Sequence, residues 1–431
     1  MKRSVLLALG LLVLSPSVWS LEQSREFNPA ISVVFDGLYY HDDASGEGME
    51  RLEGVDNAFA GHDHGHGDGH GHGGLTRGFN LRESEITFTG NVDPYFDAWF
   101  TAALREDGVE IEEAWVRTQS LPAGIQLKAG RFLSAIGYHN EKHLHSWHFV
   151  DQNLAYRSLL GDHGLRGNGV QLSWLAPTTS FLELGVEALQ GEELERFGAR
   201  INAEETAQAI EAESGGTFSP EAEDLGLDNK AGPKLGMAWV RFGPNLGPRR
   251  GLQLGLSLAH HRDSQGFHEE NGPDFFVTRG DSDLYGLQAV YKHFPTGDYG
   301  VGGWTLAAEY FRAESEQQAV FHTDSAELGT TVKQQQGAGY LEALYGFAPR
   351  WQLGLRHAAT GFGAEIREGT ERNDLDVSRR NSLALTFFPT EFSKLRLQYS
   401  HNDLRDGKDE AFDQLLLQYN LSLGAHGAHS F

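Results

Sequence analysis

Connections between the apolar segments of this chain alternate strictly between short turns bearing Pro or Gly and longer, acidic loops. Segments of 8 to 14 residues with alternating hydrophobicity give sixteen expected strands, beginning near Pro29, Arg77, Pro94, Val109, Gly124, Gly167, Ser180, Pro233, Gly251, Ser282, Gly302, Gly337, Arg350, Arg379, Phe392 and Ala411. Connections after even-numbered strands hold tight-turn signals such as Asn91-Val-Asp-Pro94, Leu121-Pro-Ala-Gly124 and Ala348-Pro-Arg350. Those after odd-numbered strands include 41–76, 134–165, 190–231, 262–281, 314–336 and 361–377, with short ones near 106–108 and 402–410. A soluble sandwich has no reason to sort its loops in this way. A transmembrane barrel with an even strand number does, with tight turns at the periplasmic end and long loops outside.

Patterning within strands agrees. Leu415, Leu417, Tyr419, Leu421 and Leu423 share one face of the last strand, while Gln414, Gln418, Asn420 and Ser422 share the other. Leu252, Leu254, Leu256 and Leu258 alternate with Gln253, Gly255 and Ser257, and Leu395, Leu397 and Tyr399 with Lys394, Arg396, Gln398 and Ser400. The fold class expected is therefore all-β, a porin-like transmembrane antiparallel β-barrel of about sixteen strands.

Met1-Lys2-Arg3, the apolar run 5–14 and a small-residue site ending at Ser20 read as a signal peptide over 1–20. Nothing later approaches the ~18 consecutive apolar residues of a membrane helix, so the expected location is the bacterial outer membrane, crossed by strands. Residues 21–431 read as one barrel domain with no plug. The terminal Phe431 and the last strand fit a signal for the barrel-assembly machinery. Cysteine is absent, which excludes disulfides and thiolate metal sites. Losing Lys2 and Arg3 from the 35 basic residues leaves 33 against 60 acidic ones, a net charge of −27. Nucleic acid is an unsuitable partner for that charge. Much of the acid lies in the long loops, for example Glu192-Glu193, Glu204-Glu205 and Glu221-Ala-Glu-Asp224, where it either keeps the loop surface solvated or gathers cations at the mouth.

Histidine concentrates in the first loop. His62, His64, His66, His70 and His72, with Asp63 and Asp68, lie among glycines between 61 and 74. Neutral imidazole without thiolate suits Zn²⁺, Ni²⁺, Co²⁺ or Cu²⁺, and interleaved glycine permits several rings around one ion at an entropic cost. The segment reads as a transient metal-capture loop, losing ligands as pH falls through ~6.5; the bland reading is a polar spacer that meets metal incidentally. A second group, His139, His143, His145, His148, Asp151, Asp162 and His163, occupies loop 134–165. In sixteen-stranded porins the loop at this position folds into the lumen, so these residues either line a constriction and bind metal or pack the loop. Lys128, Glu183, Glu187, Lys292, Glu309, Arg356, Lys394 and Arg396 fall on faces assigned to the lumen. His260, His261, His426 and His429 read as structural. With no Gly-x-Ser-x-Gly, His-Glu-x-x-His or cysteine nucleophile, no enzyme is expected and no cofactor is required.

Phe27-Asn-Pro-Ala-Ile-Ser-Val-Val-Phe-Asp-Gly37, the His/Gly-rich loop, Ala129-Gly-Arg-Phe-Leu-Ser-Ala-Ile-Gly-Tyr138 with His143-Leu-His145 and Phe149-Val-Asp-Gln152, and the ending Leu423-Gly-Ala-His-Gly-Ala-His-Ser-Phe431 resemble bacterial outer-membrane proteins linked to zinc limitation. That group is often named zinc-regulated TonB-dependent receptors, and the resemblance implies energised metal uptake. The chain itself carries no TonB box after Leu21 and is too short for a plug plus a twenty-two-stranded barrel. Residues 112–131 are also similar to phosphate-selective porins, which implies an open pore. The expectation carried forward is a passive channel for divalent metal, zinc foremost, in outer-membrane lipid and by fold analogy a homotrimer. The alternatives are a general or anion-preferring porin with incidental histidines, and a surface metal-binding or TonB-coupled receptor.

Overall fold

A computed structural model of the chain describes residues 29–424, except 47, 56–57, 60–74, 106–107, 228–231, 270–273 and 406–409. The expectations placed on residues 1–20, on His62, Asp63, His64, His66, Asp68, His70 and His72, and on His426, His429 and Phe431 lie outside the described residues.

The strands are β1 (Ala30–Asp42), β2 (Gly78–Asn91), β3 (Phe96–Arg105), β4 (Gly108–Thr118), β5 (Ile125–Leu133), β6 (Arg166–Leu175), β7 (Phe181–Leu189) and β8 (Leu235–Gly243). They continue as β9 (Arg250–Glu269), β10 (Phe275–His293), β11 (Trp304–His322), β12 (Thr331–Ala348), β13 (Trp351–Glu368), β14 (Glu371–Leu375 with Ser378–Thr390), β15 (Ser393–Asp403) and β16 (Phe412–Gly424). Both stretches of β14 pair with β13, Leu375 opposite Ala364 and Ser378 opposite Thr360, so they are one strand broken at 376–377. Each strand pairs antiparallel with its sequence neighbour, and β16 closes on β1 with Ser422 opposite Val34. The result is a closed sixteen-stranded antiparallel barrel.

Three expected loops are corrected. Residues 262–281, 314–336 and 361–377 are mostly strand: β10 begins at Phe275 rather than near Ser282, β12 at Thr331 rather than near Gly337, and β14 at Glu371 rather than near Arg379. Their polarity, as in Glu314, Ser315, Glu316, Gln317 and Gln318, suggested loop. Once a strand rises beyond the lipid it needs no apolar outer face, and the alternation that betrays it disappears.

Within the lipid belt the alternation is physical. Leu415, Leu417, Tyr419, Leu421 and Leu423 are exposed on the outer face, whereas Gln414, Gln418 and Asn420 are buried inside. Leu416 is inward too, and it belongs to a core inside the barrel. Inward Leu38, Tyr40, Phe311, Tyr340 and Leu416 pack there against Val150, Leu154, Tyr156 and Leu159 of loop 134–165. Met49 and Leu52 of α1 (Gly48–Glu53), Phe59 and Leu75 join them from the first loop. Each fully buried large apolar side chain contributes about 1.5–3 kcal/mol. The described parts of the first loop therefore fold inward with loop 134–165, beyond the single constriction the sequence suggested.

Loop 134–165 contains α2 (Leu154–Leu160), capped by Asn153, whose side chain accepts from the Tyr156 amide at 3.0 Å. Gly137 lies in the left-handed region (φ 71), and a Cβ there would come 2.3 Å from both Glu309 Oε1 and the Tyr156 hydroxyl. Only glycine lets the loop turn so close to the wall. In loop 190–234, α3 (Ala203–Glu213) packs Ala207 and Ile210 on Phe267, Phe275 and Val277, and Asn202 caps it by accepting from the Glu204 and Glu205 amides. Several acids of this loop serve locally: Glu192 pairs with Lys234 at 3.1 Å and Glu193 with Arg131 at 2.6 Å.

Leu417→Arg should destabilise the folded barrel in lipid by roughly 2–4 kcal/mol, the cost of a cation near the bilayer midplane. Equilibrium unfolding from vesicles checks this; unchanged stability would mean that Leu417 does not face lipid.

Candidate functional site in the lumen

An irregular loop buried in a barrel must find partners for its backbone, and the wall supplies them. Carboxylates take the amides: Glu187 accepts from Ala135 N at 2.9 Å and from the Ser134 hydroxyl at 2.6 Å, and Glu309 accepts from Tyr138 N at 2.6 Å and His139 N at 3.1 Å. Cations take the carbonyls: Arg396 donates to Trp147 O at 3.0 Å, Arg356 to Asp151 O at 3.0 Å, Lys394 to His145 O and Arg82 to Val150 O. Asp151 sits between Arg356 (2.7 Å) and Arg380 (2.5 Å) and accepts from Gln398 at 2.6 Å. Burial would raise its pKa, but the two guanidinium groups hold it below the usual carboxylate range.

Glu187, Glu309, Arg356, Lys394 and Arg396 bond the loop as above, and Glu183 lies 3.6 Å from Arg241. Lys128 stands over the Phe132 ring at 4.5 Å, and Lys292 lies 5.7 Å from that of Tyr138.

The loop's own candidates divide into two kinds. His139 is packing: its Nε2 meets Gln152 Oε1 at 2.6 Å, its ring lies among Trp147, Tyr156 and Tyr340, and burial lowers its pKa to about 3, leaving it neutral. Asp162 pairs with Arg157 at 3.0 Å, and His163 is half-buried at the loop's end. Beside them Lys142 lies 3.1 Å from the Tyr138 ring centroid, its pKa pushed by burial to about 7. His148 Nδ1 meets Glu342 at 2.5 Å.

His143 and His145 differ from His148, which meets the single carboxylate of Glu342, because they share a cluster of carboxylates on β2 and β4. His143 Nδ1 lies 3.0 Å from Glu112 Oε2 and 3.6 Å from Glu85 Oε2, its Nε2 lies 2.9 Å from Glu113 Oε2, and His145 Nδ1 lies 2.8 Å from Glu85 Oε1. Burial alone would lower the His143 pKa; the Glu85 charge and the bonds to Glu112 and Glu113 outweigh it and raise it well above the ordinary imidazole value. Glu85, Glu112 and His143 offer ligand atoms within 4.8 Å of one another, a set able to hold a metal ion.

Two β-bulges build this wall. Asp36 pairs with Glu83 and Gly37 with Leu81, leaving Arg82 as an extra residue of β2; Thr101 pairs with Glu113 and Ala102 with Ile111, leaving Glu112 extra in β4. Both Glu112 and Glu113 are consequently buried, against the alternation of a regular strand. That is why period-two reading assigned neither of them, nor Glu83 and Glu85, to the site. The signal present in the sequence was the adjacent pair Glu112-Glu113 in an otherwise alternating strand.

No family model matches the chain. An uncharacterized protein of Aquifex aeolicus is 31% identical over 415 residues, 94% of this chain and 81% of that protein. The chain belongs to that protein's family. Among solved structures, the outer membrane channel DcaP of Acinetobacter baumannii superposes with a TM-score of 0.51 at 13% identity, over 92% of this chain and 96% of DcaP. The anion-selective porin of Comamonas acidovorans superposes with 0.50 at 14% identity, over 92% of this chain and 99% of the porin. The chain is thus a porin-like barrel of the bacterial outer membrane.

Asp151→Asn should leave Arg356 and Arg380 buried without a counter-charge and cost the loop's docking about 3–5 kcal/mol. Hydrogen exchange should show lost protection over 150–160 while the barrel strands stay protected. Wild-type protection in the variant would show that the Asp151 contact does not hold the loop.

Proposed function

We propose that this chain is a passive outer-membrane channel for divalent metal cations, zinc foremost, with the histidines between 61 and 74 gathering the ion at its mouth. The observation that carries this reading is the charge arrangement where loop 134–165 meets the wall. Lumenal cations that would form an anion ladder, Arg82, Arg356, Arg380, Lys394 and Arg396, are engaged by the loop or by Asp36. Glu85, Glu112 and Glu113 instead meet imidazoles, a lining that attracts cations. The capture role has its own support. Phe59 and Leu75, the described residues on either side of the His-rich segment, are 6% and 8% exposed in the core that also holds loop 134–165, so the chain is anchored inside the barrel before and after 60–74. Zinc is favoured by the imidazole-rich, cysteine-lacking ligand supply and by the resemblance to zinc-limitation proteins. In this reading the apolar outer face sits in outer-membrane lipid, the last strand with Phe431 engages the assembly machinery, and the protomers form a homotrimer by analogy of fold.

Liposomes enclosing a zinc-sensitive dye test the reading. Reconstituted protein should admit Zn²⁺ well above protein-free vesicles. A variant with His62, His64, His66, His70 and His72 replaced by Asn should lose at least about threefold of that rate at low micromolar zinc, and little at millimolar zinc, where capture no longer limits. Zinc flux no faster than through protein-free vesicles contradicts the channel; equal rates in variant and wild type contradict the capture role.

A further inference from the structure

The cluster where loop 134–165 touches β2 and β4 has the makings of a metal centre rather than of a salt bridge alone. Glu83, Glu85, Glu110, Glu112 and Glu113 lie here beside Arg105, Arg131, Arg166 and Lys128. Glu85 is 3% exposed, and its Oε2 is buried with no hydrogen-bond partner while standing 3.6 Å from His143 Nδ1. A buried carboxylate oxygen left unsatisfied costs stability unless something meets it.

The geometry points to an inner divalent transition-metal site whose ligands are Glu85, Glu112 and His143 Nδ1. His143 Nε2 is 2.9 Å from Glu113 Oε2. With Nδ1 on the metal, Nε2–H donates to that carboxylate, the outer partner that metal-bound histidines take to fix tautomer and ring orientation. Glu113 is fixed in turn by accepting from the Leu133 amide and the Trp115 indole, each at 3.2 Å. His145 lies alongside, its ring 5.9 Å from that of His143 and nearly parallel to it, and it meets the other oxygen of Glu85. One nitrogen with two carboxylate oxygens suits Zn²⁺, Co²⁺, Mn²⁺ or Fe²⁺; the imidazole disfavours Mg²⁺ and Ca²⁺, and Cu(I) seeks the thiolate or thioether that is missing.

The ligands come from two bodies, His143 from the loop and the glutamates from the wall. A bound ion therefore joins the loop to β2 and β4 across the lumen. As the second station on the route proposed above, the site rests on that reading; as a binding site it does not.

Co²⁺ is the probe, added to the full-length chain whose five histidines between 62 and 72 are replaced by Asn, so that the His-rich segment does not report. We expect one Co²⁺ per chain with a visible d–d absorption band. Glu112→Gln and His143→Ala should weaken binding at least about 100-fold, and Glu113→Gln about 10 to 100-fold through the orientation of His143. Glu183→Gln, a lumenal carboxylate outside the cluster, should leave binding unchanged. Heat-modifiable migration on gels confirms that every variant is folded. A folded background protein that binds no Co²⁺, or one whose binding survives both Glu112→Gln and His143→Ala, overturns the inner site. Binding intact in a protein that passes no zinc across liposomes would retain the site and sink the channel reading instead.

Discussion

Residues 134–165 run as irregular chain through the inside of a barrel, and such a chain persists there only when its amides and carbonyls find partners. Water supplies them in an open pore; here the wall does. Glu187 and Glu309 receive amides, Arg82, Arg356, Lys394 and Arg396 give to carbonyls, and Asp151 locks the segment before α2 between two guanidinium groups. The apolar contacts of α2 with Phe311 and Tyr340 then fill what the polar contacts position. Most other features of the lumen follow from this docking.

One consequence is electrostatic. A porin lumen with several arginines and lysines would be expected to favour anions, but here the loop has taken up Arg82, Arg356, Arg380, Lys394 and Arg396. What is left facing the loop's histidines is carboxylate, displayed by bulges at Arg82 and Glu112. A bulge breaks the ladder to turn a side chain where regular pleating would not send it. In β4 it turns two consecutive glutamates into one lumen, which makes a cluster dense enough to meet both nitrogens of His143.

The barrel was legible because lipid imposes a pattern that no other environment does: Leu415, Leu417, Tyr419, Leu421 and Leu423 outward, with polar residues between, and Pro or Gly turns at one end only. Lumen-facing Glu309, Arg356 and Arg396 followed from the same period. Legibility failed where the lipid constraint stops. Beyond the membrane β9 to β14 continue as polar strands that read as loops, and inside the barrel Leu416 and Tyr340 serve a core that a water-filled lumen would not need. Bulges were illegible for a different reason, since one inserted residue shifts the face of its neighbours without changing composition. His143 and His145 could be picked out as candidates, but their partners could not, because those lie 30 to 60 residues away on strands whose register the bulges had altered.

On the function proposed here, ions passing loop 134–165 are selected for positive charge and divalent transition metal interacts with the carboxylates and histidines that meet there. Reversal potentials and single-channel recordings in a planar bilayer, under a KCl gradient and then with micromolar Zn²⁺ added on the loop side, test it most directly. A cation-preferring reversal potential and zinc-induced flicker or block are expected. An anion-preferring pore indifferent to zinc would contradict it.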